Sequence, residues 1–193
     1  MDGAAWAANF AERLQMAITY TDPDLLSMGL LIIRLIFGLV IAAHGAQKLF
    51  GWFGGYGLAG TGGFFEKLGF RPGRLFAAAA ALAEFVGGLL FALGFLGPIG
   101  PMVIIADMLV ASISVHWRNG LFATTNGVEV PLLYATAAVG VALIGFGKYS
   151  LDDALGLVTI WTPGLIGTAL AVGVLGGIAN LLLRRSPPTT PTV

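Results

Sequence analysis

Five long apolar runs divide the chain, and they constrain its fold more than any other feature. They occupy residues 28–48, 75–97, 101–117, 130–147 and 161–183. A helix needs roughly 20 mostly apolar residues to cross a hydrocarbon core of about 30 Å. Inside lipid, backbone polar groups are satisfied only in helices or closed barrels, and these runs are continuous rather than alternating. The sequence therefore predicts transmembrane helices.

The composition agrees with a chain that lies mostly in lipid. Hydrophobic residues make up 57% of the 193 residues and charged residues 10%, with a mean hydropathy of +0.88, whereas soluble domains carry about 25% charged residues. The formal net charge is zero, so no nucleic-acid partner is expected. The lack of cysteine excludes disulfides, thiolate metal sites and dithiol redox chemistry. No basic segment precedes the first run, so we expect a retained anchor rather than a cleaved signal peptide.

The expected architecture is an all-α, polytopic membrane helical bundle, with a four-helix core and a fifth C-terminal transmembrane helix. The core is assigned to residues 28–155 and the fifth helix to 156–185. Residues 49–74 are rich in glycine and aromatic residues, which predicts a re-entrant or interfacial loop against the mouth of the bundle. Residues 186–193 are rich in proline and are predicted to be a disordered tail.

Residues 1–27 are predicted to form an interfacial amphipathic segment on the membrane surface. Glu12 and Arg13 fall on a different side of this helix from its large apolar residues. Those apolar residues are Trp6, Phe10, Leu14 and Ile18.

The distribution of lysine and arginine predicts the orientation of the bundle. Most of the basic residues lie in the first loop, the third loop and the tail, and such residues favour the cytoplasmic side. They are Lys48, Lys67, Arg71, Arg74, Arg118, Arg184 and Arg185. The other side has only Arg13 and Lys148. The C-terminus is therefore expected in the cytoplasm and the N-terminus outside.

Ionisable residues inside the apolar runs predict a buried polar network of Arg34, Glu84 and Asp107. Each such group costs at least ~2.5–3.5 kcal/mol at the bilayer centre, so these groups usually pair. A rise of about 1.5 Å per residue puts Arg34 and Asp107 at one depth, ~9 Å below the outer face, with Glu84 ~20 Å below it. We therefore expect Arg34 to pair with Asp107 and to reach Glu84 partly. A buried ion pair that only fixes helix register remains an alternative.

A second group of polar residues is expected at the inner ends of the first and third helices. His44 and Lys48 are four residues apart and share a helix face, and His116 ends the third run at a matching depth. Together with Trp117 and Asn119 they form the predicted quinone, ligand or proton site. Each residue also has a structural alternative: a histidine that bonds a carbonyl, a lysine that extends to the headgroups, and a simple helix end.

Several motifs resemble the DoxX family of bacterial membrane proteins in both order and spacing, over about residues 28–155. The resemblance implies a multi-pass subunit of the bacterial cytoplasmic (inner) membrane that works near the quinone pool. The motifs are His44-Gly45, Gln47-Lys48-Leu49-Phe50-Gly51, Gly57-Leu58-Ala59-Gly60-Thr61, Ala83-Glu84-Phe85-Val86-Gly87-Gly88, Val115-His116-Trp117-Arg118-Asn119-Gly120 and Glu129-Val130-Pro131-Leu132-Leu133-Tyr134.

Three functions fit these features. In the first, the protein is a quinone-linked redox subunit with a membrane or peripheral redox partner. The site residues then exchange protons with the quinone, and Glu84 relays protons. Phe50, Trp52 and Trp117 would line a flat slot for the quinone ring. No covalent cofactor and no metal are expected. In the second, the protein is a non-catalytic scaffold that anchors a larger complex. In the third, it is a small proton or anion transporter, although no inverted repeat is visible.

Overall fold

The computed structural model describes residues 3–19 and 22–185, and the side chains of residues 3–13 and 22–185. The predicted tail at 186–193 and the side chains of Leu14 and Ile18 lie outside this part. The helices, in chain order, are α1 Gly3–Thr19, α2 Pro23–Phe50, α3 Gly57–Lys67, α4 Gly73–Leu93, α5 Ile99–Ala111, α6 Glu129–Ile144, α7 Leu151–Ala154 and α8 Pro163–Leu182.

The predicted fold class is confirmed, because the described chain is an all-α bundle with helices long and apolar enough to span a membrane. Within the described residues four helical runs meet this criterion: α2, α4, α8 and the run Ile99–Asn119 that begins with α5. The remaining apolar helix, α6, has 16 residues and is therefore about 24 Å long. It is shorter than the predicted run because it ends at Ile144, before Gly145.

Helix boundaries follow from capping residues that are visible in the sequence. Asp22 accepts a hydrogen bond from the Asp24 amide and Pro23 occupies the first turn, which begins α2. At the other end Gly51 adopts a left-handed conformation, with φ of 75° and ψ of 14°. Thr162 caps α8 by accepting from the Leu165 amide. Because Asp22 and Gly51 lie outside the run 28–48, α2 is longer than this run and has 28 residues.

Helices α2 and α4 pack closely because small residues face each other. A Cβ atom at Gly88 would lie 2.6 Å from the Gly38 carbonyl oxygen and 2.7 Å from the Ala42 nitrogen. The small-residue pair Gly38 and Ala42 therefore allows a close helix approach, as its spacing predicts. Nearer the other end of the pair, a Cβ at Gly45 would fall on the backbone of Phe85.

Helices α4 and α5 are antiparallel, and glycines define their register. A Cβ at Gly100 would lie 3.0 Å from the Phe91 nitrogen, and one at Gly87 would lie 3.6 Å from Ile104. The next contact level, three residues further along each helix, pairs Glu84 with Asp107. Directly after α5, residues Ser112–His116 form a π-helix, a feature often found at functional sites.

Residues 49–74 differ from the predicted loop, because they contain the helix α3. Four glycines within α3 lower its helix propensity, but tertiary packing compensates. A Cβ at Gly62 would lie 2.9 Å from the Arg74 side chain, and a Cβ at Gly73 would fall on the Gly62 carbonyl oxygen. Glycine therefore allows α3 to lie directly against the start of α4, where it forms one wall of a cavity.

The N-terminal segment is helical over Gly3–Thr19, and the rings of Trp6 and Phe10 stack with centroids 5.3 Å apart. Its location on the membrane surface stays a prediction. At the C-terminal end, the Arg185 amide donates to the Gly69 carbonyl oxygen over 2.9 Å. The end of α8 and the α3–α4 turn therefore lie on the same face of the bundle.

Candidate functional site

A cavity of about 870 Å³ opens between α2, α3, α5 and α6. Its wall is mostly apolar and includes Ile41, Phe64, Phe65 and Met108. The predicted site residues that line it are His44, Lys48, Glu84, Asp107 and His116. Residues from both predicted groups, the buried network and the inner site, therefore share one cavity.

Lys48 and Glu84 form an ion pair at the centre of this cavity. The Lys48 Nζ atom donates to Glu84 Oε1, and Glu84 is only 4% exposed. Because α2 and α4 pack so closely at Gly45, the long Lys48 side chain reaches back along α2 to the level of Glu84. Lys48 is therefore directed into the bundle, unlike in the alternative in which it extends toward the headgroups.

Asp107 joins this pair from α5. Its carboxyl group lines the same cavity as Glu84 and Lys48 and interacts electrostatically with both. Glu84 Oε2 and Asp107 Oδ2 are buried and accept no hydrogen bond from any described group. Ser114 lies in the π-helix that follows α5 and also lines the cavity. Its Oγ atom is likewise buried without a described partner.

His44 is held in one orientation by Gln47. The His44 Nδ1 and Gln47 Oε1 atoms are 3.1 Å apart, and Gln47 Nε2 donates to the Phe53 carbonyl oxygen over 3.2 Å. Because the amide oxygen of Gln47 accepts, Nδ1 of His44 carries the proton. The Nε2 atom then has a free lone pair. Tyr134 stands edge-on to the imidazole, with centroids 6.3 Å apart.

His116, which also lines the cavity, is held by its Nδ1 atom in a similar way. Its Nδ1 donates to the Asn126 carbonyl oxygen over 2.8 Å, because a carbonyl only accepts. Asn119 fixes the same loop by donating to the carbonyl oxygens of Asn126 and Val115 at 3.2 Å each. Asn119 thus supports the turn that holds His116 and does not itself line the cavity.

The aromatic residues predicted to form a flat slot lie outside the cavity wall. Trp117 is 70% exposed, and the rings of Phe50 and Trp52 are tilted by 38° with centroids 4.9 Å apart and are both exposed. None of the three lines the cavity. The aromatic lining comes instead mainly from α3 and α6 and includes Phe64, Phe65 and Tyr134.

Arg34 does not belong to the cluster, and its expected pairing with Asp107 is wrong. The side chain is 0% exposed, and Nη2 donates to the Tyr149 carbonyl oxygen over 2.9 Å. Its Nε and Nη1 atoms have no described partner. A Cβ at Gly94 would overlap Nη1, so Arg34 lies level with the end of α4, about ten residues from Glu84. The depth estimate failed because α2 begins at Pro23 and extends well beyond the end of α4.

Seven polar residues of the cavity were not selected from the sequence as site residues: Gln47, Tyr56, Thr61, Lys67, Ser114, Asn126 and Tyr134. Gln47 could have been found from its position three residues after His44 on the same helix face. Nothing in the sequence marks the π-helical turn that directs Ser114 inward. Among the described residues, no three His, Cys, Asp or Glu side chains come together as a metal site.

The model of the DoxX family matches residues 29–117. These 89 of the 193 residues form a DoxX domain. The DoxX domain contains most of α2, all of α3–α5 and all five predicted residues that line the cavity, whereas the α6 wall lies beyond it. With its membrane-spanning helices, the domain identifies an integral, multi-pass membrane protein. No curated protein and no solved structure matches the chain.

Proposed function

We propose that this DoxX protein binds a quinone in the cavity and acts as a redox subunit beside the quinone pool of the bacterial cytoplasmic membrane. The observation that carries the proposal is the pair of imidazoles at the cavity, each with Nδ1 occupied and Nε2 without a described partner. A quinol hydroxyl donates to such a nitrogen, and a protonated imidazole donates to a quinone carbonyl.

The shape and chemistry of the cavity support a quinone ring rather than a strongly polar ligand. Small-molecule sites usually enclose about 300–1,000 Å³ and combine apolar walls with a few polar groups. This cavity has a volume of about 870 Å³, with Phe64, Phe65 and Met108 among its apolar lining. Two imidazoles from different parts of the fold, His44 on α2 and His116 after α5, line this cavity, and a quinone ring offers two oxygens to bind.

The basic residues support the proposed orientation and the side from which electrons arrive. Lys48 and Lys67 line the cavity, and Arg184 lies on the same face because its Nε donates to the Leu68 carbonyl oxygen. The positive-inside rule assigns this face to the cytoplasm. The cavity would then take electrons from a cytoplasmic or membrane redox partner, with the N-terminus outside.

Quinone retention tests the proposal directly. The protein is purified in mild detergent, co-purified quinones are identified by mass spectrometry, and binding of a short-chain quinone is measured by quenching of tryptophan fluorescence. A lost hydrogen bond of about 1–1.5 kcal/mol weakens binding roughly 10-fold. We expect this loss in His116→Leu. The matched control is Trp117→Leu, the adjacent residue outside the cavity, which should bind like the wild type.

The binding experiment also separates the quinone site from a scaffold. If the wild-type protein retains no quinone and binds none, the quinone proposal is wrong. If the His116→Leu and Trp117→Leu variants bind equally well, any quinone binds elsewhere, and the cavity serves only the fold.

A further inference from the structure

We propose that Glu84 and Asp107 share a single proton and that this carboxyl pair exchanges its proton with the cavity. The pair would be the membrane-embedded proton site of this protein. The use of the proton in quinone chemistry rests on the proposed function above. The existence of the proton and its exchange with the cavity do not.

The helix register places the two acids opposite each other. Helices α4 and α5 touch at Phe91 with Gly100 and again at Gly87 with Ile104. One further helical step in the same antiparallel register brings Glu84 beside Asp107. Since glycine allows the two backbones to approach, the short aspartate side chain is long enough to reach the glutamate. The arrangement is therefore set by backbone packing and does not depend on a chosen rotamer alone.

The unpaired oxygens of the two carboxyl groups indicate a proton between these acids. An ionised carboxylate only accepts, so two carboxyl groups can bond each other only when one carries a hydrogen. Glu84 Oε2 and Asp107 Oδ2 are the buried carboxyl oxygens without a partner in the described part of the chain. A buried polar atom without a partner costs about 1–3 kcal/mol. A shared proton removes this cost for both oxygens.

The charge balance of the cluster points to the same proton count. Lys48 supplies one positive charge, and its ion pair is with Glu84. Two ionised acids beside one lysine would leave a net negative charge in a mostly apolar cavity, which is costly in a low dielectric. With one proton shared by Glu84 and Asp107, the cluster has one positive and one negative charge and is neutral.

The pair faces the cavity, so its proton has a route out. Both acids line the cavity wall, together with the Ser114 hydroxyl, which can accept and donate in turn. Other ionisable groups line the same cavity and can exchange protons with it. These ionisable groups are His44 and Lys48 on α2, Tyr56 before α3, Lys67 on α3, His116 after α5 and Tyr134 on α6.

Quinone reduction gives this proton a balanced use. A quinone becomes a quinol when it takes up two electrons and two protons. The electrons come from the redox partner protein. One proton moves from the carboxyl pair to a quinone oxygen and is replaced from water through the cavity, and the second is delivered from water through His116. In the reverse reaction the pair first releases its proton to water through the cavity and then accepts one proton from the quinol, while the second proton leaves through His116 and the two electrons pass to the redox partner protein.

Infrared difference spectroscopy of the ligand-free protein in nanodiscs tests the shared proton. A protonated carboxyl group has a C=O stretching band that a carboxylate lacks. We expect one such band, which shifts to lower frequency in deuterated water because the site exchanges with the cavity. Asp107→Asn and Glu84→Gln should each abolish it. Asp153→Asn, which changes an exposed acid on the opposite face, should leave it unchanged.

Isotope labelling keeps the test valid even where a variant fails to fold. Growth on carbon-labelled aspartate should shift the band in the intact wild-type protein if Asp107 holds a share of the proton, and labelled glutamate should shift it through Glu84. Absence of the band, or a band that neither label moves, overturns the proposal. So does a band that does not respond to deuterated water within hours, because the site would then be closed.

The same preparation distinguishes this inference from the proposed quinone site. If the band behaves as expected but no quinone binds, the shared proton is correct and the quinone function is wrong. If quinone binds and is reduced without any change in the band, the pair does not exchange its proton with the ligand, and that part of the inference is overturned.

Discussion

Replacing Gly88 by alanine should destabilise the protein by forcing α2 and α4 apart. The added Cβ would lie 2.6 Å from both the Gly38 carbonyl oxygen and Ile41 Cγ2. Ordinary contacts begin at about 3.4 Å, so the helices must separate by about 0.8 Å unless the chain adjusts locally. Overpacking of this kind costs about 1–3 kcal/mol. Alanine recovers about 0.5–1 kcal/mol of helix propensity, so we expect a net loss of about 1–2 kcal/mol.

The measurement compares Gly88→Ala with a second glycine-to-alanine change that meets no neighbour. Gly140 lies within α6 and has no atom within 4 Å of an added Cβ. Gly140→Ala should therefore gain about 0.5–1 kcal/mol from propensity alone. Unfolding in mixed micelles, followed by tryptophan fluorescence, gives the free energy of unfolding for both variants. If Gly88→Ala is as stable as Gly140→Ala, the close packing of α2 and α4 is refuted.

Three further predictions concern charged groups away from the cavity, and each is checked by the same unfolding measurement. Asp152→Asn should lower the free energy of unfolding by about 1–3 kcal/mol, because the two carboxylate oxygens of Asp152 accept hydrogen bonds from two backbone amides and an indole. The control Asp153→Asn should leave the free energy of unfolding unchanged. Arg34→Met should stay within about 1 kcal/mol of the wild type, because it removes a buried charge without a carboxylate partner, whereas Arg34→Ala should lose about 2–5 kcal/mol. The hydrogen bond to Asp24 raises the pKa of Lys148. The pair therefore stabilises the fold fully at a pH below the pKa of an unfolded lysine, and this stabilisation is lost as the pH rises through the folded pKa. Lys148→Gln should be less stable than the wild type at neutral pH and should match it once the pH exceeds the folded pKa.

The sequence predicted several residues that belong to the candidate site but not which of them contact each other. The presence of ionisable residues inside apolar runs was enough to select Glu84, Asp107, His44, Lys48 and His116 as site residues. Their partners were not predictable, because pairing depends on the vertical offset between helices. An error of five residues at the start of α2 corresponds to about 7.5 Å, which is more than the reach of most side chains.

The sequence by itself determined that this protein is a multi-pass helical bundle in a membrane. The reason is that the cost of an unsatisfied backbone group in lipid leaves a helix as the only conformation for a continuous apolar run. Caps also determined where some helices begin and end, as Asp22 and Gly51 show for α2. These are local effects, which depend on neighbouring residues and on the solvent.

Only the tertiary structure decided which polar residues meet. Glycines at helix crossings set the distance and register of α2, α4 and α5, and this register joins Lys48, Glu84 and Asp107 while it leaves Arg34 at the other end. A contact between helices is a relation between residues far apart in the chain. The geometry of such a contact follows from the packing of whole helix surfaces, so it cannot be predicted from the residue pattern within one helix.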